Sequence, residues 1–259
     1  MNKKYKIILM LLIVIFAISS YFFVKEFAEN KKENDLFEDL QEIVQDEEIS
    51  TNENGNTAIL NNKTSNSSNN NNYNLENIAK INADTIGWIK INETNINYPV
   101  MQNGNYYLHR NIYKNYSSHG TPYLAEYCNL TTSDNLIIYG HHMNDNSMFS
   151  GLVNYKNYQF YKNHKYINFY TLKDGQTIES TYEIVIAFKT VAYSNSGFKY
   201  HNYTNFYDEQ ELNTFVDNCR NLEFYNTGTK ISYGDKLLTL STCEYSQKNG
   251  RMVIIAKKI

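Results

Sequence analysis

The stretch Thr239-Leu240-Ser241-Thr242-Cys243 is followed, across a short polar loop, by Arg251 and a second apolar run. The alternation of side chains is typical of a β-strand, and it places Ser241 and Cys243 on the same face. The loop ends in Asn249-Gly250, a strong turn signal, so the run from Arg251 is predicted to return antiparallel to the first. Because neighbouring strands lie about 5 Å apart, we expect Arg251 to reach Cys243.

This pairing predicts a reactive thiol. A fixed cation beside a cysteine stabilises the thiolate, which is the nucleophilic form. The alternative is a buried, inert cysteine that closes a core strand. The polar residues on the face of Cys243, and the position of Arg251, favour the reactive cysteine. A histidine is available at His141, which follows the apolar run 136–139 across Gly140, where glycine is expected to permit an unusual backbone angle and a close approach.

The N-terminus carries a predicted membrane anchor. Ile7–Val24 holds eighteen residues without a charge, just long enough to span a bilayer. Lysines at positions 3, 4 and 6 precede it, so the positive-inside rule places residues 1–6 in the cytoplasm and the rest outside. The alternative is a cleaved signal peptide, for which Ala17-Ile18-Ser19 is a poor cleavage site. The net charge of −3 gives no indication of a nucleic-acid partner.

Three further segments follow the predicted anchor. Residues 25–74 are expected to form a helical stalk up to Glu48 and then an Asn/Ser-rich, flexible linker from Ser50. Residues 75–259 hold the only tryptophan, Trp88, and are long enough for one domain with its own core. The sequence therefore predicts an extracellular domain tethered to a membrane.

The domain is predicted to be mainly β. Many strand-like runs without a βαβ rhythm favour an antiparallel barrel or sandwich. Two helical patches interrupt the runs, Ser147–Tyr155 and the longer Asp208–Leu222. The eight predicted strands are Ile86–Ile91, Asn95–Val100, Thr121–Tyr127, Asn135–Tyr139, Tyr166–Leu172, Thr177–Ala192, Lys236–Thr242 and Arg251–Lys257.

The other cysteines and histidines give weaker signals. Cys219 lies on the apolar stripe of the second helical patch and is predicted to be core, while Cys128 ends a predicted strand and has the option of pairing with it. A metal site that combines His119, His141, His142 and Asp145 has no known spacing template. No metal and no cofactor are expected, and His142, if the chain stays extended, points away from the face of His141.

Several motifs together resemble the class B sortases. They are Ile-Ile-Tyr-Gly-His-His-Met at 137–143, Thr-Leu-Ser-Thr-Cys at 239–243 and Gly-Arg-Met-Val-Ile at 250–254. The resemblance covers residues 75–259, and the N-terminal anchor fits it too. It implies an eight-stranded β-barrel with N-terminal helices and a long helix before the cysteine strand. It also implies a membrane-anchored cysteine transpeptidase on the outer face of a Gram-positive cell.

The resemblance also implies roles for four residues. Cys243 corresponds to the nucleophile, His141 to the general acid/base and Arg251 to the residue that stabilises the oxyanion, while Ser241 matches a position that touches substrate. The implied reaction cleaves the C-terminal sorting motif of a surface protein through a thioester and transfers the protein to an amino group of the cell wall. The alternatives are a hydrolytic cysteine peptidase and a non-catalytic, membrane-anchored adhesion domain. The order of His141 before Cys243 differs from that of papain-like peptidases.

Overall fold

The computed structural model describes residues 3–45, 73–192 and 197–259. The predicted Asn/Ser-rich linker lies outside the described residues except for its last two positions, and so do residues 46–48 of the predicted stalk. The chain divides into two compact units, Met1–Asp39 and Leu40–Ile259. The division into cytoplasmic, membrane, stalk and catalytic segments stays a prediction.

The first unit consists of a helix that contains the apolar run. Helix α1 spans Lys3–Gln45, and the large apolar side chains of its run 7–24 are exposed. It is the one helix of the described residues that is long and apolar enough to cross a membrane, with a mean hydropathy of 2.9 over its best window. A signal sequence passes the same criterion, so both sequence-based alternatives stand. Residues 40–45 of α1 already belong to the second unit, where the backbone amide of Asn74 donates to the Val44 carbonyl at 2.6 Å.

The second unit is a closed, eight-stranded barrel, as the resemblance implied. The strands are β1 Thr85–Lys90, β2 Asn97–Met101, β3 Tyr123–Leu124, β4 Asn135–Tyr139, β5 Tyr166–Lys173, β6 Gln176–Val191, β7 Leu237–Glu244 and β8 Gly250–Lys258. Each strand overlaps one of the eight predicted runs, with ends that differ by no more than a few residues. The order of the strands around the barrel is β1-β2-β3-β4-β7-β8-β6-β5.

Two features of the barrel differ from the sequence-based expectation. The sheet is mixed, since β2 pairs with β3 and β4 pairs with β7 in parallel. Strand β3 has only two of the seven predicted residues. It ends because the amide of Cys128 donates to the Ala125 carbonyl at 2.9 Å, which closes a turn. The parallel β4–β7 pair matters most, because it brings the carboxyl ends of these two strands to the same edge of the barrel.

Helical segments fill the connections between the strands. The predicted helix at 208–222 is α4, Glu209–Arg220, and the carboxylate of Asp208 caps it by accepting from the amide of Glu211 at 2.8 Å. The other predicted patch forms a 3₁₀ helix at Ser150–Lys156, and residues 147–149 belong to the loop before it. The remaining helical elements are α2 Leu75–Ile81, α3 Tyr158–Asn163 and the 3₁₀ helices Tyr106–His109 and Tyr200–Asn202.

Candidate active site

Cys243 and Arg251 are direct neighbours on adjacent strands. The antiparallel β7–β8 register pairs the two residues, as the sequence predicted. Side chains that stand opposite each other in such a pair lie on the same face of the sheet. The guanidinium of Arg251 also donates from Nη1 to the carbonyl of Gly250 at 2.9 Å. The turn between the strands is the predicted one, with Asn249 at a φ of 57°.

Cys243 is the accessible thiol of the three cysteines. Cys128 and Cys219 are 3% and 0% exposed, whereas Cys243 is partly exposed, and all three are free thiols. The optional Cys128–Cys219 disulfide is therefore not formed. Burial raises the pKa of the Cys128 thiol and of the Cys219 thiol, which keeps both protonated and unreactive. The buried position of Cys219 agrees with its predicted place on the apolar stripe of α4.

The parallel pairing of β4 with β7 brings His141 to the same edge as Cys243. Tyr139 pairs with Ser241, and the amide of Gly140 then donates to the Ser241 carbonyl at 3.2 Å. His141 follows Tyr139 by two residues, as Cys243 follows Ser241. Because β4 and β7 run in parallel, His141 follows the end of β4 at the same end of the barrel as Cys243.

Gly140 serves close packing rather than an unusual backbone angle. It does not have a positive φ, so the first part of the sequence-based expectation is wrong. A Cβ atom at this position would lie 2.6 Å from the ring of Phe149. The second part, a close approach, is confirmed: the ring of Phe149 occupies the space where any other residue would carry its Cβ atom.

A backbone carbonyl fixes the ring of His141. The Nε2 atom lies 2.7 Å from the carbonyl oxygen of Leu108. A carbonyl only accepts, so Nε2 carries a hydrogen, and Nδ1 is the atom left to exchange a proton. Burial lowers the pKa of His141, the bond to Leu108 opposes this effect, and the nearby His109 and His119 lower the pKa further. The imidazole is therefore mostly neutral at neutral pH.

Hydrogen bonds of the neighbouring Tyr107 hold the segment that presents the Leu108 carbonyl. The buried Tyr107 donates its hydroxyl to the carboxylate of Asp84 at 2.7 Å and accepts from the amide group of Asn82 at 2.7 Å. Gly120 packs directly behind the segment at a φ of +60°, where a Cβ atom would lie 2.4 Å from the Leu108 oxygen. The position of this oxygen therefore depends on a glycine at position 120.

We expect Gly120→Ala to move the Leu108 carbonyl and to weaken its bond with His141. The free energy of unfolding should fall by about 1–3 kcal/mol, since both the backbone angle and the added methyl group are unfavourable. Gly175→Ala is the matched control, because Gly175 has a φ of +76° but a methyl group added there would meet nothing within 4 Å. The measurements are thermal unfolding and kcat of both variants. Backbone strain alone should lower the stability of both, whereas displacement of the Leu108 carbonyl should lower kcat in Gly120→Ala only. Equal kcat values in the two variants would show that the Leu108 carbonyl does not matter.

His142 contacts the backbone of Cys243, which the sequence did not predict. Its Nδ1 atom donates to the carbonyl of Cys243 at 2.9 Å, since a carbonyl can only accept. The hydroxyl of Tyr245 donates to the carbonyl of His142 at 3.0 Å. The expectation that His142 points away assumed an extended chain, but β4 ends at Tyr139. His142 thus holds the end of the cysteine strand.

Ser241 is buried and contacts Tyr200, which lies in the segment that follows β6. Its side chain is 1% exposed, and its hydroxyl lies 2.6 Å from the hydroxyl of Tyr200. Burial raises the pKa of Tyr200 to about 12, although the bond to Ser241 and the charge of Arg251 oppose this effect. The proposal that Ser241 touches substrate stays a prediction. Tyr200 could not be found from sequence, because a tyrosine in a polar segment carries no signal for burial.

Glu244 follows Cys243 but faces away from it, as the alternation predicted. Its carboxylate is buried and lies 2.6 Å from the Nζ atom of Lys156. Burial raises the pKa of Glu244, but hydrogen bonds from Lys156 and Ser246 outweigh this effect and hold the pKa below its usual value. The carboxylate is therefore neutralised by Lys156 rather than opposed to a thiolate at Cys243.

The histidines considered for a metal site have other partners. His119 lies 3.1 Å from the carboxylate of Asp145, His142 binds the Cys243 carbonyl and His141 binds the Leu108 carbonyl. Within residues 3–45, 73–192 and 197–259, no three His, Cys, Asp or Glu side chains are grouped to hold a metal ion. The interpretation of these residues as a metal site is not supported.

Comparison with known proteins identifies the family. Residues 89–259 match the family model described as the sortase domain. Sortase B of Staphylococcus aureus is 31% identical over 266 residues, which cover 100% of this chain and 98% of that protein. Sortase B of Listeria monocytogenes is 29% identical over 251 residues, which cover 95% of this chain and 92% of that protein. A solved complex of S. aureus sortase B with substrate has a TM-score of 0.70 at 29% identity, over 90% of this chain and 98% of that one.

These matches agree with the closed, eight-stranded barrel. The family model spans more than half of the chain, and the S. aureus relative aligns with the full length of this chain. The chain belongs to the sortase family of cysteine transpeptidases, in class B.

Proposed function

We propose that this protein cleaves the C-terminal sorting motif of surface proteins and transfers them to an amino group of the cell wall. The observation that carries the proposal is the pairing of the accessible Cys243 with Arg251, at the end of the barrel where His141 follows β4. A thiol, a cation and an imidazole are the groups that acyl transfer through a thioester requires.

The first half-reaction forms the thioester. The thiolate of Cys243 attacks the carbonyl carbon of the threonine in the sorting motif, and the C=O electron pair moves to oxygen. Arg251 donates to this oxyanion. As the oxyanion collapses, the peptide C–N bond breaks and Nδ1 of protonated His141 gives its proton to the departing amine. The products are a thioester on Cys243 and a neutral His141.

The second half-reaction releases the product. An amino group of a wall precursor or cross-bridge attacks the thioester carbon, and Nδ1 of His141 takes a proton from the attacking nitrogen. The C–S bond then breaks and its electron pair returns to sulfur. The cycle ends with an amide product, a thiolate at Cys243 and a protonated His141, so no net proton is exchanged with solvent. Ser241 is proposed to contribute to substrate binding beside Cys243.

Only part of the free enzyme is expected to have the reactive protonation states, a thiolate together with an imidazolium. An ordinary cysteine titrates near ~8.5 and an ordinary histidine near ~6.5, so a thiolate and an imidazolium coexist in a minority of molecules. Burial lowers the pKa of His141, which makes that minority smaller. Turnover is therefore expected to be slow unless bound substrate changes both groups.

The N-terminal helix is proposed to anchor the protein with its catalytic domain outside the cell. Lysines precede the apolar run of α1, which is the orientation that the positive-inside rule favours. A sorting substrate and a lipid-linked wall precursor both lie at the membrane surface. Anchoring then raises the effective concentration of both substrates.

The test is an incubation of the full chain, in detergent, with a library of sorting-motif peptides, with and without an amine acceptor. We expect a mass increase on Cys243 that equals the acyl fragment, and an amide product only when the amine is present. Release of the free acid at a rate that the amine does not change would instead favour a hydrolytic peptidase. The absence of any adduct across the library would favour the non-catalytic adhesion domain.

A further inference from the structure

A buried ion pair lies close to His141, outside the groups that the proposed reaction uses. The side chain of His119 is 0% exposed, and its Nε2 atom lies 3.1 Å from Oδ2 of Asp145, which is 18% exposed. The hydroxyl of Ser118 lies 3.3 Å from the other ring nitrogen. A fully buried imidazole with a partner on each ring nitrogen has a defined orientation, unlike a surface histidine.

The pair joins the two segments that hold His141. His119 ends the segment whose Leu108 carbonyl binds the ring of His141. Asp145 lies in the loop that follows His141, and the amide of Phe149 at the end of this loop donates to the His141 carbonyl at 2.9 Å. One segment therefore fixes the ring of His141 and the other fixes its backbone.

Asp145 also shapes its own loop. Its Oδ1 atom accepts from the amide of Ser147 at 3.0 Å and from the Ser147 hydroxyl at 2.6 Å. Burial raises the pKa of Asp145, but the bonds from Ser147 and His119 outweigh this effect and hold it below the usual value. Asp145 is therefore a carboxylate at neutral pH, with one oxygen serving the loop and the other facing His119.

We propose that His119 is a positioning residue for His141, and that its contact with Asp145 sets the place of the His141 imidazole. This inference rests on the proposed role of His141 as the acid and base. By holding the two segments together, the pair keeps Nε2 of His141 on the Leu108 carbonyl and leaves Nδ1 to exchange the proton.

The place of the His141 ring has a consequence for its pKa. The bond to the Leu108 carbonyl raises the pKa of His141, because it stabilises the protonated ring, and this effect is larger than the opposing effects of His109 and His119. A ring that moves away from Leu108 loses this stabilisation. Loss of the contact between His119 and Asp145 is therefore expected to lower the pKa of His141.

Two substitutions test the contact with Asp145. In His119→Gln the amide group keeps a donor for Asp145, whereas His119→Leu removes it. We expect kcat of His119→Leu to fall about tenfold to a hundredfold with KM nearly unchanged, since a displaced general acid costs rate rather than binding. His119→Gln should recover most of kcat. His164→Leu, a substitution at the end of α3, is the control.

The readout that a merely structural role would not move is the titration of His141, followed through its ring proton resonances in the full chain. We expect it to move to lower pH in His119→Leu, where the bond to Leu108 is weakened, and to stay near the wild-type value in His119→Gln and in His164→Leu. An unchanged titration in His119→Leu, or an activity loss in His119→Leu that only tracks the fraction unfolded, would overturn the inference. The titration needs no substrate, so it stays informative even if wild-type Cys243 forms no thioester and the proposed function fails.

Discussion

Replacement of Cys243 by alanine is expected to abolish transfer and hydrolysis of sorting-motif peptides, by at least about 10³-fold. The substitution removes the only atom in the proposed reaction that forms a covalent bond with substrate. Because Cys243 is partly exposed at the barrel edge, alanine should leave the barrel folded. The measurement is peptide cleavage together with the mass of the protein after incubation with substrate.

Cys128→Ala is the matched control for this experiment. Its thiol is buried and lies 3.6 Å from the carbonyl of Asn135, so its loss removes a small apolar group and no reactive one. We expect Cys128→Ala to keep the mass adduct and most of the activity, at some cost in thermal stability. Two results would show that Cys243 is not the nucleophile. One is transfer of peptide by Cys243→Ala, and the other is an acyl adduct found on Cys128.

The β7–β8 hairpin was predictable from the sequence because all of its determinants are local. Alternation fixed which side chains share a face, and Asn249-Gly250 fixed the return of the chain, so the pairing of Cys243 with Arg251 followed. The same holds in part for α4, whose apolar stripe is predicted by the spacing of Leu212, Phe215, Val216, Cys219 and Leu222. Leu212, Phe215 and Cys219 are buried, but Val216 is half-buried and Leu222, beyond the end of the helix, is exposed. Periodicity thus identifies faces and nearby partners.

Periodicity does not identify distant partners, and the place of His141 depends on one. The apolar run in residues 135–139 indicates a buried strand, but it does not indicate that this strand pairs in parallel with β7, about a hundred residues away in sequence. The expectation of an antiparallel sheet was wrong for this pair. The convergence of His141 on Cys243 was therefore expected from the family resemblance alone.

Backbone groups are the second part of the site that the sequence could not indicate. The Leu108 carbonyl fixes the tautomer of His141, and the Cys243 carbonyl binds His142. Every residue has a carbonyl, so no residue type marks one that binds a side chain. The only local signal is Gly120, whose necessity becomes clear once its distance to the Leu108 oxygen is known.

Replacement of Arg251 by alanine is expected to lower kcat for peptide cleavage by about 10²–10³-fold, the usual cost of losing a donor to an oxyanion. Arg251→Lys should recover only part of this loss, because an ammonium group lacks the planar set of donors and differs in reach. Arg220→Lys is the control. The guanidinium of Arg220 binds the carbonyls of Val185 and Thr229 and the carboxylate of Glu223, so its loss should lower stability without changing kcat per folded molecule.

Alkylation of Cys243 distinguishes the two ways in which Arg251 can act. Reaction of a thiolate with iodoacetamide forms no oxyanion, so it reports on the thiolate alone. If Arg251 acts only on the oxyanion, Arg251→Ala should alkylate at the wild-type rate while thioester formation falls. If the guanidinium also stabilises the thiolate, as its place opposite Cys243 suggests, the alkylation rate near neutral pH should fall as well. Thioester formation at the wild-type rate in Arg251→Ala would contradict both roles, because neither the thiolate nor the oxyanion would then depend on this cation.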